Sequence, residues 1–127
     1  MALTRLESGA CVANVHVSTK PSSAERELLD GARQATEFAG SDPLIFGGDF
    51  NVRPKASAVF DQLEERFGLA PRTAPDRLSH LLVRGLEVAE APTAWPPEAR
   101  DRVDPETGLK IRLADHNPVI GTFETVG

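Results

Sequence analysis

The chain has 127 residues, a formal net charge of −5 and an apolar fraction of 40%. That length supports one domain with its own core, 1–127, and the acidic balance argues against a broad basic footprint for nucleic acid. It does not exclude a phosphate ester, because a bound divalent cation can supply positive charge.

Leu3 to Leu6 and Ala10 to Val17 read as two strands joined by a turn at Ser8-Gly9. In the second, Cys11, Ala13, Val15 and Val17 share one face, and Val12, Asn14 and His16 share the other. The single cysteine falls in this apolar pattern and reads as a buried small hydrophobe. Ser22-Ser23-Ala24-Glu25 has the form of a capping box and predicts a helix start. Leu28, Leu29, Ala32, Ala35, Phe38 and Ala39 then recur at helical spacing, and Gly40 closes the helix. The run Leu44-Ile45-Phe46 is that of a strand buried on both faces. A second helix is expected from Ser57 to Phe67, with Val59, Phe60, Leu63 and Phe67 on one stripe and Gly68 after it. Leu81 to Val83 and Leu86 to Val88 predict a hairpin around Arg84-Gly85. Residues 91–108 hold four prolines and read as a long surface loop, anchored to the body by Trp95. Pro118 to Phe123 is the last strand. The order β-β-α-β-α-β-β-β is mixed α/β, and the early hairpin argues against a purely parallel sheet. No stretch reads as a membrane span and no signal-peptide pattern opens the chain, so a cytoplasmic location is the expectation.

The segment Phe46-Gly47-Gly48-Asp49-Phe50-Asn51 carries the most chemistry. In an extended chain Asp49 and Asn51 point the same way. Gly47 and Gly48 let another backbone or a ligand come close. A carboxylate beside a carboxamide suits hard cations and phosphate oxygens, although turn chemistry alone also explains the pair. His16 ends a strand and, taken alone, reads as structural. Asp115-His116-Asn117-Pro118 precedes the final strand. If the backbone bends there, Asp115 can hold a metal or water while His116 contacts substrate as acid, base or phosphate donor. Ser79-His80 opens a strand, and His80 reads as a half-buried strand residue. Strand ends converging on one rim are the usual way an α/β scaffold builds a site. A phosphate-binding Gly-rich loop, a paired-Cys zinc pattern and a Gly-x-Ser-x-Gly elbow are all missing from the sequence.

Four segments, Asn14-Val15-His16-Val17-Ser18, Gly48-Asp49-Phe50-Asn51-Val52-Arg53-Pro54, Leu78-Ser79-His80-Leu81-Leu82-Val83 and Ala114-Asp115-His116-Asn117-Pro118-Val119, resemble the endonuclease/exonuclease/phosphatase superfamily in order and spacing. The resemblance implies a DNase I-like phosphoesterase using Mg2+ or Mn2+. It also implies one mixed β-sheet with helices on one face, half of the family's four-layer α/β sandwich. Asp49 resembles the acid that handles the nucleophilic water or a metal, and Asn51 the amide that steadies the scissile phosphate. His116 resembles the histidine at that phosphate, Asp115 the metal-binding acid before it, and His16 the histidine that protonates the leaving oxygen. Ser79 stands where the family often has an Asp hydrogen-bonded to the catalytic histidine. A serine can hold an imidazole but cannot stabilise an imidazolium as a carboxylate does. The match is to the family's C-terminal half. The half that supplies an Asn and a metal-binding Glu has no counterpart in this sequence. The other sheet face is then expected to seek a partner, either a second copy in a homodimer or a separate N-terminal half. The competing function classes are a non-catalytic binding or scaffold module and a fragment of a longer protein.

Overall fold

Alternating small apolar residues make the centre of the fold. In the computed structural model, which describes residues 1–71, 77–94, 96, 98, 101–112 and 119–126, β1 (Ala2–Arg5) and β2 (Cys11–His16) pair antiparallel. Cys11, Ala13 and Val15 are buried, while Asn14 and His16 are exposed on the opposite face. Helix α1 (Pro21–Ala39) carries the chain back to β3 (Leu44–Asp49), which lies parallel to β2. A short 3-10 turn at Pro54–Ala56 and helix α2 (Val59–Phe67) lead to β4 (Ser79–Arg84), antiparallel to β3. The sheet order is β1-β2-β3-β4, so the sheet is mixed, as the sequence suggested.

Both helices lie on one face of this sheet. Ala24, Leu28, Ala32, Ala35 and Ala39 of α1 and Val59, Phe60 and Leu63 of α2 join Ala13, Phe46, Phe50 and Leu82 in one buried cluster. The small side chains of α1 let helix and sheet approach closely, and three buried phenylalanines fill the rest. Burying each stabilises the fold by roughly 1.5–3 kcal/mol. Ile45 is only half-buried, so β3 is covered fully on one face, not two. Phe38 also departs from its expected stripe: it is 38% exposed, and the Arg5 guanidinium lies over its ring at 5.2 Å.

The helix starts differ from expectation. Pro21 occupies the first turn of α1 and Lys20 the cap, with no side-chain capping bond. A proline fixes the helical φ and lacks the N–H that a cap would satisfy, so it sets the start ahead of the Ser22 box. Glu25 instead accepts from Ser57 Oγ at 2.9 Å, and Ser57 Oγ in turn accepts from the Val59 N–H at 3.1 Å. The helices are thereby tied at the foot of α2.

The expected hairpin at Arg84-Gly85 does not form. β5 (Leu86–Ala94) leaves the four-stranded sheet and pairs antiparallel with β8 (Val119–Thr125) in a separate two-stranded ribbon. The segment expected as a loop over 91–108 holds the end of β5 and the strand β6 (Asp101–Val103), which pairs with β7 (Lys110–Arg112). At the tip of that second hairpin, Asp104 Oδ1 accepts from the Glu106 N–H and Oδ2 from Thr107 Oγ1, holding the Asp104 carboxyl below its ordinary range. Trp95 lies outside the described residues. Among the described residues no helix is long and apolar enough to cross a membrane.

Candidate functional site

Strand register decides what the rim can do. His16 of β2 stands opposite Asp49 of β3, and Asp49 stands opposite Ser79 of β4. Residues opposite one another on paired strands share a sheet face. His16, Asp49 and Ser79 therefore form one row across three strands, on the face without helices. His16 Nε2 is 3.6 Å from Asp49 Oδ2, with the His16 side chain 79% exposed and that of Asp49 16% exposed. That separation is outside hydrogen-bond range, so the imidazole is free to turn toward a substrate.

Close backbone approach delivers Asp49 to this row. A Cβ on Gly48 would meet the Val15 carbonyl oxygen at 1.9 Å, and Gly48 has φ 136°. A Cβ on Gly47 would meet the His80 carbonyl oxygen at 2.9 Å. The expectation that these glycines admit a neighbouring backbone holds, and the neighbours are β2 and β4.

Asn51 does not sit as simple alternation requires. It has φ 49°, so the chain turns at the end of β3 rather than running on extended. Its backbone N–H donates to Asp49 Oδ1 at 3.0 Å, and its Nδ2 donates to the Val17 carbonyl at 2.8 Å. The side-chain amide is thus engaged in holding the end of β2. An asparagine tolerates the left-handed conformation because its short polar side chain bonds locally. Asp49 and Asn51 remain adjacent through this turn, not through a shared strand face.

Two further contacts lace the rim. The Val17 N–H donates to the Asp49 carbonyl at 3.3 Å, and the Phe50 N–H donates to the Leu78 carbonyl at 2.8 Å. Beside them, Ser18 donates through its N–H and Oγ to the two Glu27 oxygens at 2.8 and 2.9 Å. Those bonds hold the Glu27 carboxyl below its ordinary range. A cleft of about 270 Å³ opens between β2 and α1, lined by Val15, His16, Val17, Glu27 and Gln34 among others. Of the three residues in the row, His16 alone lines it.

The sequence underrated His80. It is not half-buried but 1% exposed, packed on Phe50 at 5.1 Å and Phe60 at 4.8 Å between ring centroids. Burial pushes its pKa down to about 4, and its backbone hydrogen bonds to Arg77 and Val52 oppose that shift. The apolar residues around it in Leu78-Ser79-His80-Leu81-Leu82 were the available signal.

Asp115 and His116 lie outside the described residues. Among the described residues there is no group of three or more His, Cys, Asp or Glu side chains able to hold a metal ion. Asp49 offers a single carboxylate, with Oδ1 taken by the Asn51 amide and Oδ2 facing His16. A single carboxylate is a partial ligand set for a hard cation, which takes about six or more oxygens in all. Comparison with protein-family models, curated proteins and solved structures gave no match to this chain.

Proposed function

We propose that the chain is a half-domain of a metal-dependent phosphoesterase, hydrolysing a phosphodiester or phosphomonoester with Mg2+ or Mn2+. The observation that carries this reading is the row His16, Asp49 and Ser79 at the end of the open sheet face. Asn51 is folded against it.

In this reading Asp49 and Asp115 would hold the cation, which when bound would supply Lewis-acid stabilisation of charge on the phosphate. Asp49 also orients the attacking water. His16, exposed and beside the cleft, would give a proton to the leaving oxygen. By the resemblance of its motif, His116 would contact the phosphate, and Ser79 would be the group to support its imidazole. Asn51 steadies the scissile phosphate only if its amide exchanges the Val17 carbonyl for a phosphate oxygen. Its structural role here is to hold the ends of β2 and β3 together.

The DNase I-like half-sandwich belongs to the same proposal. Its support is a four-stranded mixed sheet with both helices on one face. On the other face Val12, Ile45 and Leu81 are half-buried. That face would pack on a second copy or on a partner half to complete a working site.

The test is hydrolysis of a chromogenic phosphodiester with magnesium or manganese, with light scattering to read the assembly state. Metal-dependent turnover that disappears with chelator and in Asp49→Ala is the expected result. Folded protein with no turnover, alone and as an assembled oligomer, would reduce the chain to a binding or scaffold fragment.

A further inference from the structure

The rim lies where three strands meet their connections: the end of β2, the turn after β3 and residues 77–78 ahead of β4. Something must fix the third against the second, because Asp49 and Asn51 are only as well placed as the backbone beneath them. One backbone bond, Phe50 N–H to Leu78 O, crosses between them. A second link is His80. Its Nε2 is 2.7 Å from the Arg77 carbonyl oxygen. A carbonyl can only accept, so Nε2 carries the proton and the neutral ring is the Nε2–H tautomer. The ring also packs tilted on Phe50, at 5.1 Å between centroids, next to Asn51. Arg77 lies in the approach to β4 and Phe50 in the turn after β3, and His80 touches both from inside the core.

We infer that His80 is a positioning residue: from beneath the sheet it fastens the turn that carries Asp49 and Asn51 to the approach of β4. This role rests on the phosphoesterase reading only for its catalytic consequence. The fastening itself is a property of the fold. No side chain of the aromatic cluster other than His80 has a polar atom to make this link, and Phe46, Phe50 and Phe60 supply packing around it.

The experiment compares the wild type with His80→Gln and His80→Asn, using nitrogen-15 NMR and amide hydrogen exchange on the full chain without metal. The Gln amide reaches the place of Nε2, whereas the Asn amide ends near Nδ1. The wild type is expected to show the Nε2–H tautomer, with a slowly exchanging ring proton. In His80→Asn, the Phe50 and Asn51 amides are expected to exchange about tenfold faster, the effect of one lost hydrogen bond. Ala13, in the middle of the sheet, should stay unchanged, and His80→Gln should restore most of the protection. An Nδ1–H tautomer would overturn the inference. So would equal losses at Ala13 and Asn51, or identical behaviour of the Gln and Asn variants. If the Asn variant does not fold, the tautomer and the protection of Asn51 in the Gln variant decide alone. None of these readings needs turnover, so absent hydrolysis with the expected exchange pattern would reject the phosphoesterase and keep the positioning role.

Discussion

Lowering the pH should weaken this fold before its carboxylates begin to titrate, and His80 sets the size of the effect. The ring is 1% exposed. In the folded protein burial lowers its pKa from 6.5 to about 4, and an Arg77 charge nearby adds to the lowering, while Asp49 opposes it. The unfolded chain binds a proton at its ordinary value near 6.5, and the folded chain does not until about 4. Between those values the unfolded state holds more protons, so stability rises with pH. The contribution is complete above about pH 6.5, falls as pH drops, and is exhausted near pH 4. The gap corresponds to about 3 kcal/mol, most of which is gone by about pH 4.5. That is a large share of the roughly 5–15 kcal/mol that holds a domain together. Glu27, Asp30 and Asp104 also have lowered values, but their ordinary pKa values are 4.5, 3.8 and 3.8, so their losses come at lower pH. Urea midpoints measured from about pH 7.5 to about pH 4.5 give the profile at constant m. His80→Gln removes the titration while keeping a donor, and its profile should be flat over that window from a lower starting value. Parallel slopes in wild type and variant would refute the argument, because another group would then be responsible.

Gly48→Ala should cost about 3 kcal/mol or more, since its Cβ would overlap the Val15 carbonyl oxygen and the backbone region is nearly glycine-only. Chemical denaturation checks this, and a loss below about 1 kcal/mol would show that β2 and β3 can separate there without penalty. Asn51→Ala loses the bond to the Val17 carbonyl and keeps a positive φ without the side chain that tolerates it, a cost of about 1–2 kcal/mol. Asn51→Gly loses the same bond without the strain and should be the more stable of the two, as thermal melts would show.

Much of the sheet was readable because alternation is a local signal. Cys11, Ala13 and Val15 fell on the buried face of β2, and β3 ended at Asp49 as the glycines and the following polar residues implied. The helical stripe of α1 was right for its alanines, yet Phe38 stays outside because Arg5, distant in sequence, offers its ring a cationic partner. The hairpin at Arg84-Gly85 failed for a similar reason. Two apolar runs joined by a glycine look alike whether they pair with each other or with strands elsewhere. β4 found β3, and β5 found β8. At the rim, the register that aligns His16, Asp49 and Ser79 is a pairing between strands, which no single segment encodes. Asn51 was legible as a polar group at a strand end, but its local bond to Asp49 outweighed the alternation.

The chain leaves the four-stranded sheet at Gly85, with φ 75°, and the strand that follows pairs in a ribbon apart from that sheet. The four-stranded sheet has the phenylalanine cluster behind it. The β5–β8 ribbon has two strands, shifts of register near Val88, Glu90 and Thr93, and mostly exposed residues along β5. An isolated pair of strands is marginal in water, so the ribbon can open as its own foldon while the sheet stays intact. Amide exchange along β5 and β8 is then expected to be faster than along β2 and β3, where the buried cluster must open as well.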